Sequence, residues 1–272
     1  RDAVLPKFSS KTFLDHSKEV IKLNEKAPGF GRKALLFSTC FTNYNNPEIG
    51  LSARKVLAKN GVETEVIYPR CCGMPQLEQG NIAAVAKTAE IVSADLRSWI
   101  ERGYDVLALI PSCALMLKFE WPLILPENKD VQFLSEATKD IAEYIVDIDK
   151  KEGLAHGLRP VKGGVTLHIA CHARAQNMGQ KGVEMVRLIP DTDIQVIERC
   201  SGHGGTWGIM KENYEVALKV GRPAARKTSE LNNQHLISEC PLAREHLLQG
   251  AEHQSNKGLK PSVFQHPIEL LA

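Results

Sequence analysis

The sequence predicts an α/β fold of two similar lobes, each built on a parallel sheet and related by a pseudo-twofold internal repeat. Three observations lead there. Six short apolar runs rich in Ile, Val and Leu alternate with stretches of helical period, the pattern of buried parallel strands joined by crossover helices. The runs fall into two sets of three. Each run ends at a cysteine or a Cys-x-Gly element, at nearly the same intervals in both sets.

Residues 1–31 precede the first strand and read as an N-terminal helical arm, with a helix from residue 13 to residue 26. The first lobe, residues 32–150, carries strands at 34–39, 64–69 and 105–110. Asn46-Pro47 reads as a cap followed by proline at the first helical position; that helix runs to Lys59 and stops at Asn60-Gly61. Ile82, Val85, Ala89, Val92, Leu96 and Trp99 share one face of a second helix that Gly103 ends. Residues 133–150 read as one further helix, with Ile141, Tyr144, Ile145 and Ile148 on its apolar side. Residues 151–164 hold Gly153, Gly157, Pro160, Gly163 and Gly164 and read as the linker. The second lobe, residues 165–272, carries strands at 165–170, 194–198 and 234–238, a helix at 209–220, and a tail from residue 254 that is expected to wrap one lobe.

With 34 basic against 32 acidic residues in 272, charge gives no case for nucleic-acid binding. No run of eighteen apolar residues exists, so no membrane-spanning helix is expected. The chain opens Arg1-Asp2-Ala3-Val4, without Met and without a signal-peptide pattern. It is expected to be processed or to belong to a longer protein. The seven cysteines are an odd count at wide spacing, which argues against a disulfide framework and for reduced thiols in the cytoplasm.

All seven cysteines fall on the repeat. Cys40, Cys71-Cys72-Gly73 and Cys113 follow the three strands of lobe one; Cys171, Cys200-Ser201-Gly202 and Cys240 follow those of lobe two. The intervals from Cys40 to Cys71 to Cys113 are 31 and 42 residues, and from Cys171 to Cys200 to Cys240 they are 29 and 40. Ligand sites of open parallel sheets lie beyond the carboxyl ends of the strands. Thiols far apart in sequence are thus expected on one rim of each lobe. Gly73 and Gly202 read as sharp turns that let backbone come close to a cluster. Pro75 and Pro241 suit helix first turns just after the cysteines.

These residues resemble a known family. The pattern Cys40…Cys71-Cys72-Gly73…Cys113, repeated imperfectly as Cys171…Cys200-Ser201-Gly202…Cys240, is similar to the cysteine-rich CCG domain of heterodisulfide reductase (its B subunit) and of related iron–sulfur oxidoreductases. Ala170-Cys171-His172, the run Gly204-Gly205-Thr206-Trp207-Gly208 and Lys211-Glu212-Asn213 look most like the C subunit of anaerobic glycerol-3-phosphate dehydrogenase. The resemblance covers residues 33–250. It implies an electron-transfer component of an oxidoreductase with a metal site in each lobe. It also implies partners: a ferredoxin-type domain or subunit, and a flavin dehydrogenase, a thiol–disulfide couple or a quinone, with peripheral membrane association only through such partners. The heterodisulfide reductase pattern ends in Cys-x-x-Cys. Here those places read Cys113-Ala-Leu-Met116 and Cys240-Pro-Leu-Ala243, which counts against a noncubane cluster.

Cys40, Cys71, Cys72 and Cys113 suit a [4Fe–4S] cluster, with structural zinc as the alternative. Cys171, Cys200 and Cys240 leave a fourth place to His203, His172, Ser201 or an open coordination position. His168 reads as a satisfied core histidine. Trp207 reads as core or as cover for a cluster edge, and Lys118 and Glu120 as a solvated face. The rival readings are a zinc-binding or metal-free docking module, and a thiol–disulfide reductase using Cys71 and Cys72.

Overall fold

Two all-parallel sheets lie at the centre of the chain. The computed structural model describes residue 3, residues 5–254 and residues 264–272. In lobe one, β1 (Lys33–Phe37), β2 (Glu63–Ile67), β3 (Asp105–Ala108) and β4 (Thr138–Asp140) pair in the order β2-β1-β3-β4. In lobe two, β5 (Val165–His168), β6 (Ile194–Ile197) and β7 (His235–Ser238) pair in the order β6-β5-β7. Each lobe therefore puts its first strand in the middle, its second on one side and its third on the other. The registers repeat too: Phe37 faces Ile67 and Ala108, and His168 faces Ile197 and Ser238. The strand ends thus lie level, and each cysteine element starts just beyond them.

Lobe one carries α1 (Phe13–Ser17), α2 (Pro47–Lys59), α3 (Met74–Glu78), α4 (Ile82–Glu101), α5 (Pro111–Leu115), α6 (Trp121–Ile124), α7 (Lys129–Ala137) and α8 (Ile141–Lys151). Lobe two carries α9 (Cys171–Ala175), α10 (Lys181–Val186), α11 (Tyr214–Leu231) and α12 (Pro241–Gln254). Side chains alternate across a strand, and β1 shows where each face goes. Leu35 and Phe37 pack with Val85, Ala89, Val92 and Leu96 of α4 on the outer side of lobe one. Leu36 joins a core that runs through Leu107, Ile141 and Ile145 to Val165 and Leu167 of the other sheet. The two lobes thus share one buried core, and their relative placement is set by apolar packing. A smaller outer core of lobe two holds Ile197, Ala224, Leu236 and Leu247.

The helices at 47–59 and 82–101 form as the caps and periodicity require. Three elements differ. The expected helix at 133–150 is broken by β4, which adds a fourth strand to lobe one beside β3. Asp140 ends that strand and caps α8: its carboxylate accepts from the Ala142 amide, and Glu143 reaches back to the Asp140 amide. The arm is helical only over Phe13–Ser17. Beyond it the Asn24 amide donates to Ala58 O at 3.0 Å and its side chain donates to Lys59 O at 3.0 Å. These bonds tie the segment to the C-terminal end of α2.

The lobe-two helix begins at Tyr214, later than expected, and runs through Pro223 to Leu231. Proline normally ends a helix; here packing of Ala217, Gly221, Ala224 and Ala225 against lobe two outweighs the lost hydrogen bond. Within the tail, residues 255–263 lie outside the described residues. The last nine residues touch both lobes: Gln265 O accepts from the Ser238 amide at 3.0 Å, and Asn46 Nδ2 donates to Gln265 Oε1 at 2.9 Å.

Candidate metal centre

The cysteine elements of both lobes meet at a cleft between them, of about 120 Å³. Cys40, Cys71, Cys72 and Cys113 line it from lobe one, and His172, His203 and Cys240 from lobe two. Cys171 and Cys200 stand on the same side of lobe two but are exposed and do not line the cleft.

The four lobe-one thiols neighbour one another in the order Cys40, Cys71, Cys72, Cys113, and each perturbs the next. Cys72 and Cys113 are buried, while Cys40 and Cys71 are half-buried. The neighbouring Cys40 and Cys72 thiols, with the Gly73 amide, bring the Cys71 thiol down to about 3, against the opposing effect of burial. Cys40 is pushed up by its bond to Cys71 and by burial, and Cys72 by its bonds to Cys113 and Cys71. The thiolate is the form that binds metal. Among the described residues, no three His, Cys, Asp or Glu side chains are grouped closely enough to hold a single metal ion.

The local backbone explains the placement. Gly73 and Gly202 have the same left-handed φ of +87°, a conformation that favours glycine. In each lobe the amide two residues after the first cysteine of the element turns onto its sulfur: Gly73 onto Cys71, and Gly202 onto Cys200 at 3.4 Å. The repeat thus keeps its conformation although Ser201 stands in place of a cysteine. A Cβ on Gly73 would meet Val85 and Met116 in ordinary contact, whereas one on Gly202 would strike Ala217 O of α11 at 2.2 Å. At Gly202 the missing side chain makes room for a helix.

In lobe two, Cys240 precedes α12, and the Leu242 and Ala243 amides point at its sulfur. Burial nevertheless pushes its thiol up to about 11. Arg174 ties the outer thiols together: its guanidinium donates to Cys171 Sγ at 3.6 Å and lies near Cys200. His203 Nε2 sits 3.6 Å from Cys240 Sγ. His172, the second residue of α9, lines the cleft, and Ser201 is buried in the turn. His168 is the core histidine expected, held by Ser238 Oγ at 3.0 Å and Arg199 O at 2.9 Å.

Two expectations need correction. Lys118 is not on a solvated face: its ammonium pairs with Glu143 at 2.6 Å and reaches Gln176 of lobe two at 3.3 Å. A π-helical turn at Met116–Glu120 swings it inward. Trp207 is not core; it is 45% exposed at the rim of lobe two.

Three site residues escaped the sequence reading. Tyr68 OH lies 3.2 Å from Cys40 Sγ. Glu78 of lobe one accepts the Thr206 amide of lobe two, joining the lobes over the cleft. The fully buried Trp121 donates Nε1–H to Cys72 O at 3.1 Å and fixes the paired-cysteine turn. Trp121→Phe keeps most of the packing but leaves that carbonyl unpaired, and is expected to cost about 1–3 kcal/mol in a urea melt.

A family model described as "Cysteine-rich domain" (CCG) matches residues 34–118 and 165–244, the two segments that carry the cysteines. The chain belongs to the CCG cysteine-rich domain family. Its two CCG domains cover β1 to β3 and β5 to β7 with their cysteine elements, and β4 lies outside them. The whole CCG pair is similar to the C subunit of anaerobic glycerol-3-phosphate dehydrogenase of Escherichia coli strain K12, 27% identical over 98% of this chain and 65% of that protein. It is similar to the B subunit of fumarate reductase (CoM/CoB) of Methanothermobacter marburgensis, 27% identical over 89% of this chain and 46% of the relative. It is also similar to an uncharacterized iron–sulfur protein of Methanocaldococcus jannaschii, 26% identical over 88% of this chain and 46% of that one. This CCG chain therefore spans between about half and two thirds of the length of these curated relatives. No helix among its described residues is long and apolar enough to cross a membrane.

Proposed function

We propose that this CCG protein is an iron–sulfur electron-transfer component of an oxidoreductase. Cys40, Cys71, Cys72 and Cys113 would hold a [4Fe–4S] cluster, and Cys171, Cys200 and Cys240 a second metal site. The observation that carries the reading is the gathering of four thiols from three strand ends at one cleft. Two of the thiols, Cys40 and Cys72, are made harder to ionise by their neighbours and by burial. A cationic cluster core removes that cost by binding all four as thiolates.

The donor set fits the group. Four thiolates are the usual ligands of a [4Fe–4S] cluster, and Gly73 N–H and Tyr68 O–H stand ready as donors to two of the sulfurs. Such donors stabilise negative charge on sulfur and raise the reduction potential. When bound, the cluster supplies one-electron exchange. The chain's residues hold it at the cleft between the lobes, within reach of a partner. The relatives named as dehydrogenase and reductase subunits support redox partners: a ferredoxin-type module, and a flavin dehydrogenase or another electron donor or acceptor.

Anaerobic reconstitution with iron and sulfide tests this reading. Visible absorption of a cluster that bleaches on dithionite, with an EPR signal from the reduced form, is expected. Uptake of zinc with no redox-active colour would instead support a docking module. A metal-free protein whose Cys71 and Cys72 cycle between dithiol and disulfide would support thiol–disulfide chemistry.

A further inference from the structure

We infer that His203 is an N–H donor to the Cys240 sulfur and not a metal ligand, which makes it a positioning residue for the lobe-two site. The inference rests on the reading of Cys240 as a ligand, but its basis is the hydrogen bonding of the ring itself.

The Gly205 amide donates to His203 Nδ1 at 2.7 Å. A ring nitrogen that accepts a hydrogen bond carries no proton. A neutral imidazole has one proton, so it sits on Nε2, the nitrogen 3.6 Å from Cys240 Sγ. A protonated nitrogen has no lone pair for iron or zinc. Ligation through Nε2 would move the proton to Nδ1, directly against the Gly205 N–H. The doubly protonated ring meets the same clash.

The surrounding loop is built to keep this arrangement. Gly204 and Gly205 take left-handed φ values of +53° and +59°, which turn the chain back so that its amides face His203. The Gly208 amide donates to His203 O at 2.8 Å, and a Cβ on Gly208 would strike that same oxygen at 2.0 Å. The Thr206 amide is anchored on Glu78 of lobe one. The run Gly204-Gly205-Thr206-Trp207-Gly208, which has no nucleotide-binding spacing, thus gains a function: it fixes the tautomer of one histidine. A donor to a ligand sulfur withdraws charge from it and raises the reduction potential of the site.

Two measurements decide the assignment. In the metal-free full chain, nitrogen NMR of ¹⁵N-labelled histidine should show His203 as the Nε2–H tautomer at neutral pH; the Nδ1–H tautomer would overturn the proposal. The second uses reconstituted protein in a Cys71→Ser, Cys72→Ser background, where the remaining iron belongs to lobe two. There His203→Ala should keep the iron content and favour the oxidised form about tenfold, about 59 mV lower for a one-electron couple. His203→Gln, whose amide N–H reaches the Nε2 position, should restore the potential. Loss of lobe-two iron in both variants, or an unchanged potential in His203→Ala, would overturn it. Failure of the parent to take up iron in lobe two would count against the second cluster site, and the tautomer would still decide the donor assignment.

Discussion

Replacing Cys71 and Cys72 together by serine removes the iron of lobe one, about four atoms per chain for a [4Fe–4S] site, and leaves the fold in place. Serine is nearly isosteric with cysteine, and its hydroxyl is a poor ligand unless deprotonated. Cys71 neighbours Cys40 and Cys72, and Cys72 also neighbours Cys113. Without the pair only Cys40 and Cys113 remain in lobe one, and two thiolates do not retain a cluster. The turn itself is held by groups the substitution does not touch, the Trp121 bond to Cys72 O and the left-handed Gly73. A thermal melt should therefore move by only a few degrees, while iron counting and the visible spectrum report the loss. Unchanged iron in a folded variant would show that these thiols are not ligands.

The second large effect lies in lobe two, where helix propensity points the wrong way. Gly221 sits inside α11, and alanine there would ordinarily stabilise the helix by about 1 kcal/mol. Its Cβ, however, would lie 2.1 Å from Ser201 O. That atom is backbone, and it cannot retreat easily, because Gly202 next to it is packed against Ala217 O of the same helix. The helix and the Cys-Ser-Gly turn touch backbone to backbone, so the clash spreads to both. Overpacking of this kind costs about 1–3 kcal/mol and more where the neighbour is rigid. We expect Gly221→Ala to destabilise the protein by about 3 kcal/mol or more, read as a lower urea midpoint. Cys200 should be displaced with the turn, so lobe-two metal should fall while lobe-one iron is retained. A more stable variant would show that α11 and the turn are not in contact.

Much of this was legible in the chain because it rests on local signals. The six strands, the two central helices of lobe one and the position of every cysteine beyond a strand follow from apolar runs, caps and proline positions. What escaped the reading depends on partners distant in sequence. β4 is three residues long and hides inside a helical period; its one local mark is Asp140-Ile-Ala-Glu143, a capping pattern that signals a helix start at residue 141. The path of α11 through Pro223 is decided by what its small-residue face packs on. The roles of Tyr68, Glu78 and Trp121 are contacts with residues far along the chain, and no periodicity announces them. Lys118 looked like a surface lysine because nothing near it in sequence tells of Gln176. His203 was legible as a residue of the site; its role hangs on which ring nitrogen accepts a backbone amide, and only coordinates supply that.

The most direct test counts metal and acid-labile sulfide in the full chain purified and reconstituted without oxygen. About four iron and about four sulfide held at lobe one, with zinc near zero, are expected if the four thiols that meet at the cleft grip a single cluster. Stoichiometric zinc without sulfide, or an iron content left unchanged by the loss of Cys71 and Cys72, would contradict it.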